Sequence, residues 1–176
     1  TCPSSSSTVA IVRDQNPTIA NAGTSQTLCS SSATLSGNTP AIGIGAWTVI
    51  SGPGSISSPL SAITPVTSLG IGSNVFQWAI SNGVCPPSTS TVAINVDANP
   101  TISNAGSTQT LCTATATLNG NTPAIGNGNW SVISGTSTVA NPSSPTSSVT
   151  GLSFGSNVFQ WTITNGTCPP SSSTVT

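Results

Sequence analysis

The sequence predicts an all-β chain built as two tandem β-sandwich domains, and three observations carry that reading. The chain repeats itself at a fixed offset. Asn16-Pro17-Thr18-Ile19 returns as Asn99-Pro100-Thr101-Ile102 (99 − 16 = 83), and Ser73 to Trp78 returns as Ser156 to Trp161, with no insertion between. A period of this length is too long for a solenoid turn and suits one small β-domain. Strong helix formers are scarce: Glu, Lys and Met are absent, while Gly and Pro recur at short intervals. Finally, apolar and polar residues alternate in short segments, the period of a half-buried strand.

Each element follows in chain order within the first repeat, and its copy follows in the second. A short strand is expected at Thr18–Asn21. Ala33-Thr34-Leu35 alternates and stops at Ser36-Gly37-Asn38, and Trp47-Thr48-Val49 alternates and stops at Ser51-Gly52-Pro53-Gly54. Val66 to Leu69 leads into Gly70 and Gly72. Val75 to Ile80 is the strongest strand signal and ends at Asn82-Gly83, two residues that tolerate positive φ and suit a hairpin connection. Thr89 to Val96 closes the repeat with Val92, Ile94 and Val96 on one face. This amounts to roughly seven strands per repeat. Trp47, Phe76, Trp78 and Ile80, with Trp130, Phe159, Trp161 and Ile163, have apolar neighbours at period two and are expected to form the two cores. An exposed tryptophan would instead offer a stacking platform for sugar rings.

The expected organisation is a tail at 1–15, equivalent to the last strand of a preceding repeat, then one repeat at 16–98 and a second at 99–176 with its last strand truncated. The chain starts and stops at the same phase of the repeat, as a window on a longer array would. Val96-Asp97-Ala98-Asn99-Pro100 forms a short link. Its proline fixes φ and favours a semi-rigid rod.

Composition excludes whole classes of function. The only charged residues are Arg13, Asp14 and Asp97, and there is no His. General acid–base catalysis, a Ser–His–Asp triad and Ser–Lys chemistry therefore lack their groups, so no catalytic residues and no cofactor are expected. One arginine makes no patch for nucleic acid. No apolar run is long enough for a membrane-spanning helix. A surface of Ser, Thr, Asn, Gln and Gly carries little like-charge repulsion, so close association of copies meets no electrostatic barrier.

The five cysteines obey the repeat: Cys2, Cys85 and Cys168 share one phase, and Cys29 and Cys112 the other. One disulfide per repeat is expected, Cys29 with Cys85 and Cys112 with Cys168, implying an oxidising compartment. Cys2 is then left unpaired or joined to another repeat. A zinc site is the alternative, but two thiolates without His do not complete four ligands, so no metal is expected. Asp14 and Asp97 sit at the links as calcium ligands do in some extracellular rods, yet calcium wants six to eight oxygens. A solvated link residue, or an aspartate capping a turn, is the simpler reading. Asn129-Trp130-Ser131 and Asn165-Gly166-Thr167 match the glycosylation sequon, but Ala46 and Val84 break it in the first repeat, which favours chance.

The run Asn21-Ala22-Gly23, Gln26-Thr27-Leu28-Cys29, Ala33-Thr34-Leu35, Gly37-Asn38-Thr39-Pro40, Trp47-Thr48-Val49, Gly72-Ser73-Asn74-Val75-Phe76-Gln77-Trp78, Asn82-Gly83 and Cys85-Pro86 resembles the PKD-like or immunoglobulin-like tandem repeats of giant Bacteroidetes surface proteins. Gliding-motility adhesins exported by type IX secretion are the best-known carriers. The second repeat matches from Asn104 through Pro169. The resemblance implies a secreted or surface-anchored β-sandwich stalk with no catalytic residues, its disulfide cysteines falling on Cys29, Cys85, Cys112 and Cys168. The chain departs from that pattern in its near-total lack of charge.

The expected function is a non-catalytic structural segment of an extracellular filament or cell-surface adhesin stalk, whose partner is a further copy of itself. The alternative is a module that binds surface polysaccharide, which requires an exposed tryptophan.

Overall fold

The computed structural model describes residues 2–176. Among them are strands and no helix. The strands are β1 (Gln26–Leu28), β2 (Ala33–Ser36), β3 (Ile44–Ser51), β4 (Ser55–Ile56), β5 (Ile63–Thr67), β6 (Gly72–Ser81), β7 (Ser88–Val96), β8 (Thr115–Asn119), β9 (Asn127–Ser134), β10 (Thr138–Val139), β11 (Thr146–Thr150), β12 (Val158–Thr164) and β13 (Ser171–Val175). Two compact units result. The first takes the chain up to Ser25 with Ser32–Leu69 and Asn74–Ala93; the second takes Gln26–Ser31, Gly70–Ser73 and Ile94–Thr176. Two short pieces of the first repeat thus group with the second unit.

In the first repeat one sheet runs β2-β5-β4 and the other β1-β7-β6-β3. In the second, the sheets run β10-β11-β8 and β13-β12-β9. The second repeat therefore lacks the strand corresponding to β1. The β1–β7 ladder is parallel, with Gln26 opposite Ile94, Thr27 opposite Asn95 and Leu28 opposite Val96.

Alternation along β6 buries Asn74, Phe76, Trp78 and Ile80 and turns the residues between them outward. Trp47 on β3 lies opposite Trp78 in the antiparallel ladder, with ring centroids 5.0 Å apart. Leu35, Val66, Leu69 and Val92 complete the buried set of the first unit. The second unit repeats it: Leu118, Trp130, Val149, Phe159, Trp161, Ile163 and Val175 form one cluster, with Trp130 and Trp161 again 5.0 Å apart. Each indole N–H finds a carbonyl. Trp78 donates to Asn38 and Trp161 to Asn121, at 3.1 and 3.2 Å, while Trp47 donates to Ala62. Burial of a tryptophan is favourable only when that donor is satisfied. Gly45 and Gly128 face the Trp78 and Trp161 rings, and a Cβ at either would collide with the indole.

Three elements differ from the sequence expectation. Thr18–Asn21 is not a strand, because its backbone bonds to side chains and a loop instead of a strand partner. Thr18 N–H donates to Ile42 O (3.0 Å) and Ala20 N–H to Ser88 Oγ (2.9 Å). The first strand is β1, whose short Gln-Thr-Leu run gives no alternation signal. The tail at 1–15 carries no strand in its described part: Val9, Ile11 and Val12 are 85, 90 and 85 % exposed.

Candidate functional site

The site with the most specific geometry is built around the two aspartates at the links. Asn82-Gly83 and Asn165-Gly166 end β6 and β12, and each turn grips the link residue that lies 69 positions earlier than its glycine (83 − 14 and 166 − 97). In the first unit the Asp14 carboxylate accepts the Val84 N–H at 2.9 Å, and Asn82 Nδ2 donates to Gln15 O at 2.9 Å. In the second unit Asp97 Oδ2 accepts from both Thr167 N (2.7 Å) and Thr167 Oγ1 (2.9 Å), and Asn165 Nδ2 donates to Ala98 O at 2.8 Å. Glycine is required twice over at the turn. Gly83 and Gly166 have φ of 52° and 51°, and a Cβ on either would strike the aspartate carboxylate. The aspartates are therefore turn caps, with a carboxylate oxygen committed to backbone N–H. Asn165, one of the two sequon asparagines, spends its amide on Ala98.

This clamp decides the disulfide. The intra-repeat pairs Cys29–Cys85 and Cys112–Cys168 are corrected by the structure: Cys29 is bonded to Cys168, with Cα atoms 4.8 Å apart and 139 residues between them in sequence, while Cys85 and Cys112 are free thiols. The reason lies at Asp97. Leu28 O, at the end of β1, accepts Asp97 N–H at 2.8 Å, which carries Cys29 to the link. From the other side the Asn165–Thr167 turn holds the Asp97 carboxylate, which brings Cys168 Sγ to 3.5 Å from Asp97 O. Cys85 is held the same way by the earlier aspartate, its thiol donating to Asp14 O at a long 3.6 Å. Each turn cysteine thus goes to the link that precedes its repeat, and β1 delivers its cysteine to the link that follows. Cys2 is an exposed free thiol.

All four tryptophans are at most 2 % exposed, so none offers a face to a sugar. Apolar exposure lies elsewhere. In the second unit a cavity of about 460 Å³ opens beside Val175 and Thr176, lined by Leu111, Cys112, Leu118, Phe154 and Phe159 among others, and Phe154 is fully exposed at its rim. Sequence reasoning identified neither the aspartate clamp as the organiser of the cysteines nor this cavity. The clamp had a signal, the equal spacing of Asp14 to Asn82-Gly83 and Asp97 to Asn165-Gly166. Among the described residues no helix is long and apolar enough to cross a membrane.

No protein-family profile and no curated protein matches the chain. Solved structures do. Titin domains I67–I69, in an E-to-A variant, align with 90 % of this chain and 64 % of theirs at 13 % identity and a TM-score of 0.57. Sidekick-1 immunoglobulin domains 1–4 align with 95 % of this chain at 13 % identity and a TM-score of 0.55. The chain spans about half the length of that structure. A PKD domain from the KIAA 1837 protein is 24 % identical over 49 % of this chain, at a TM-score of 0.39. With its alternating strands, paired sheets and buried tryptophans, the chain is an all-β protein of immunoglobulin-like fold.

Proposed function

We propose that the chain is a non-catalytic structural segment of an extracellular filament or cell-surface adhesin stalk, of the kind carried by giant Bacteroidetes surface proteins exported by type IX secretion. One observation carries the reading: a disulfide closes 139 residues of sequence between Cys29 and Cys168. Such a bond persists in an oxidising, extracytoplasmic setting. It also has a mechanical meaning. Tension applied through the chain passes from Cys29 to Cys168 across the covalent bond, so the loop between them bears none of it. The near absence of charge supports the same reading, because an uncharged surface of hydroxyls and amides lets copies approach without repulsion. The polysaccharide-binding alternative loses its motive with all four tryptophans buried.

The test is immunogold electron microscopy of the native source with antibodies to the folded chain, before and after a reducing agent. Labelled filaments or stalks outside the cell are expected. Label confined to the cytoplasm would refute the proposal.

A further inference from the structure

The second repeat is missing the piece of chain that completes the first. β1 pairs in parallel with Ile94–Val96, and Ile94 and Val96 are 0 and 6 % exposed. The equivalent Gln109–Leu111 forms no strand. Only the first bond of its ladder is present, Gln109 N–H to Thr176 O at 2.9 Å, and Leu111 is 48 % exposed. β12 is shortened at the same end: β6 begins at Gly72, but the equivalent Gly155–Asn157 lies outside β12 and lines the cavity. The cavity of about 460 Å³ is therefore the place that a residue equivalent to Ile94 would fill.

The chain also displays the segment that fits. Thr8-Val9-Ala10-Ile11 is identical to Thr91-Val92-Ala93-Ile94, and its apolar residues are exposed rather than paired. Val9 corresponds to Val175 of β13, and Ile11 to the residue the cavity lacks; Arg13, at the position of Val96, ends the match.

We infer that the second repeat accepts a β-strand from a second copy of the chain, residues Ser5–Val12, which takes the place of β13 and sets Ile11 in the cavity. The inference rests on the filament reading above and names its joint. The incoming strand and β13 present the same residue types along the shared groove. They differ at one end, where the incoming strand adds Ile11 and the ladder to Gln109–Leu111, so exchange gains apolar burial and hydrogen bonds. The contact is head to tail, so it repeats without closing.

The exchange places the first repeat of the incoming copy where a third repeat would follow. Its Cys85 then meets Cys112 as Cys168 meets Cys29. Sealing the joint joins two thiols in one S–S bond. Two protons and two electrons leave, taken up by a small-molecule disulfide such as oxidised glutathione, which becomes two thiols.

The test uses the full chain with oxidised glutathione, read by light scattering, non-reducing gels and peptide mapping. Wild type forms a ladder of covalent multimers carrying Cys85–Cys112 peptides. Cys85→Ser or Cys112→Ser abolishes the ladder, and Cys2→Ser leaves it intact. Ile11→Asp weakens association about thirtyfold while the Cys29–Cys168 bond and thermal unfolding stay as in wild type, since Ile11 is 90 % exposed in the single copy. A chain that stays monomeric at high concentration, a ladder bridged through Cys2, or a ladder indifferent to Ile11→Asp would overturn the joint. None of these would touch the filament reading, which stands or falls on labelling of the native source.

Discussion

Stretching a single molecule by its two ends gives a direct reading of the disulfide. With Cys29 bonded to Cys168, only the residues outside the loop can extend, and the 139-residue separation is hidden. At about 3.5 Å per extended residue, reduction releases about 49 nm of contour length. Intra-repeat pairing makes a different prediction. Bonds Cys29–Cys85 and Cys112–Cys168 would each hide 56 residues (85 − 29 and 168 − 112), together about 39 nm, released in two separate events. The assay is force spectroscopy on the monomeric fraction, with and without dithiothreitol, on a Cys2→Ser background so that attachment through that thiol is excluded. A single release near 49 nm is expected. Two releases of about 20 nm each, or a total near 39 nm, would refute both the bond and the mechanical argument built on it. The same bond should contribute about 5 kcal/mol to stability by restricting the unfolded chain, so reduction alone should lower the thermal midpoint markedly.

Three further outcomes follow from single side chains. Asp97→Ala removes the acceptor for Thr167 N and Oγ1 and should cost about 2 kcal/mol in chemical denaturation, with slower formation of the Cys29–Cys168 bond on oxidative refolding; unchanged refolding would show that the clamp does not guide the cysteines. Trp161→Ala empties the second core and should cost about 3–5 kcal/mol, whereas a cost near zero would contradict its burial. Ser68 is the one non-glycine residue at positive φ (58°) among those described, and its counterpart in the second repeat is Gly151 at 72°. Ser68→Gly should therefore stabilise by about 1 kcal/mol in thermal unfolding, and a loss of stability would mean that the serine side chain makes a contact worth more than the strain.

Much of the fold was legible because it rests on local pattern. The alternation of Val75 to Ile80 announces a strand with Phe76, Trp78 and Ile80 on one face, and the 83-residue offset announces its copy. Asn82-Gly83 announces a turn for reasons of backbone sterics alone. The strands that escaped notice, β1 and β4, are three and two residues long and owe their conformation to a partner strand rather than to their own sequence. Thr18–Asn21 misled for the converse reason: a plausible local pattern has no backbone partner, and Ser88 Oγ takes the Ala20 N–H instead. At the site, residue types were visible and long-range pairing was not. Nothing local tells Cys29 which turn cysteine it will meet.

A periodic sequence makes that ambiguity systematic. Cys29 faces the same choice of Cys85 or Cys168 that every equivalent cysteine faces in an array, and composition and spacing are identical for either partner. The choice is settled by direction. β1 runs parallel to the end of β7, so its cysteine is delivered downstream to Asp97, while each Asn-Gly turn reaches upstream to the aspartate before its own repeat. Downstream delivery and upstream reach meet only between consecutive repeats. Pairing inside each repeat would use Cys29, Cys85, Cys112 and Cys168 completely. Pairing that steps forward by one repeat necessarily leaves one turn cysteine free at the start of any two-repeat segment and one β1-type cysteine free at its end. Cys85 and Cys112 are those two thiols. Their freedom follows from the same rule that joins Cys29 to Cys168, and it leaves each two-repeat unit with one reactive group of each kind, the arrangement needed for copies to add in series.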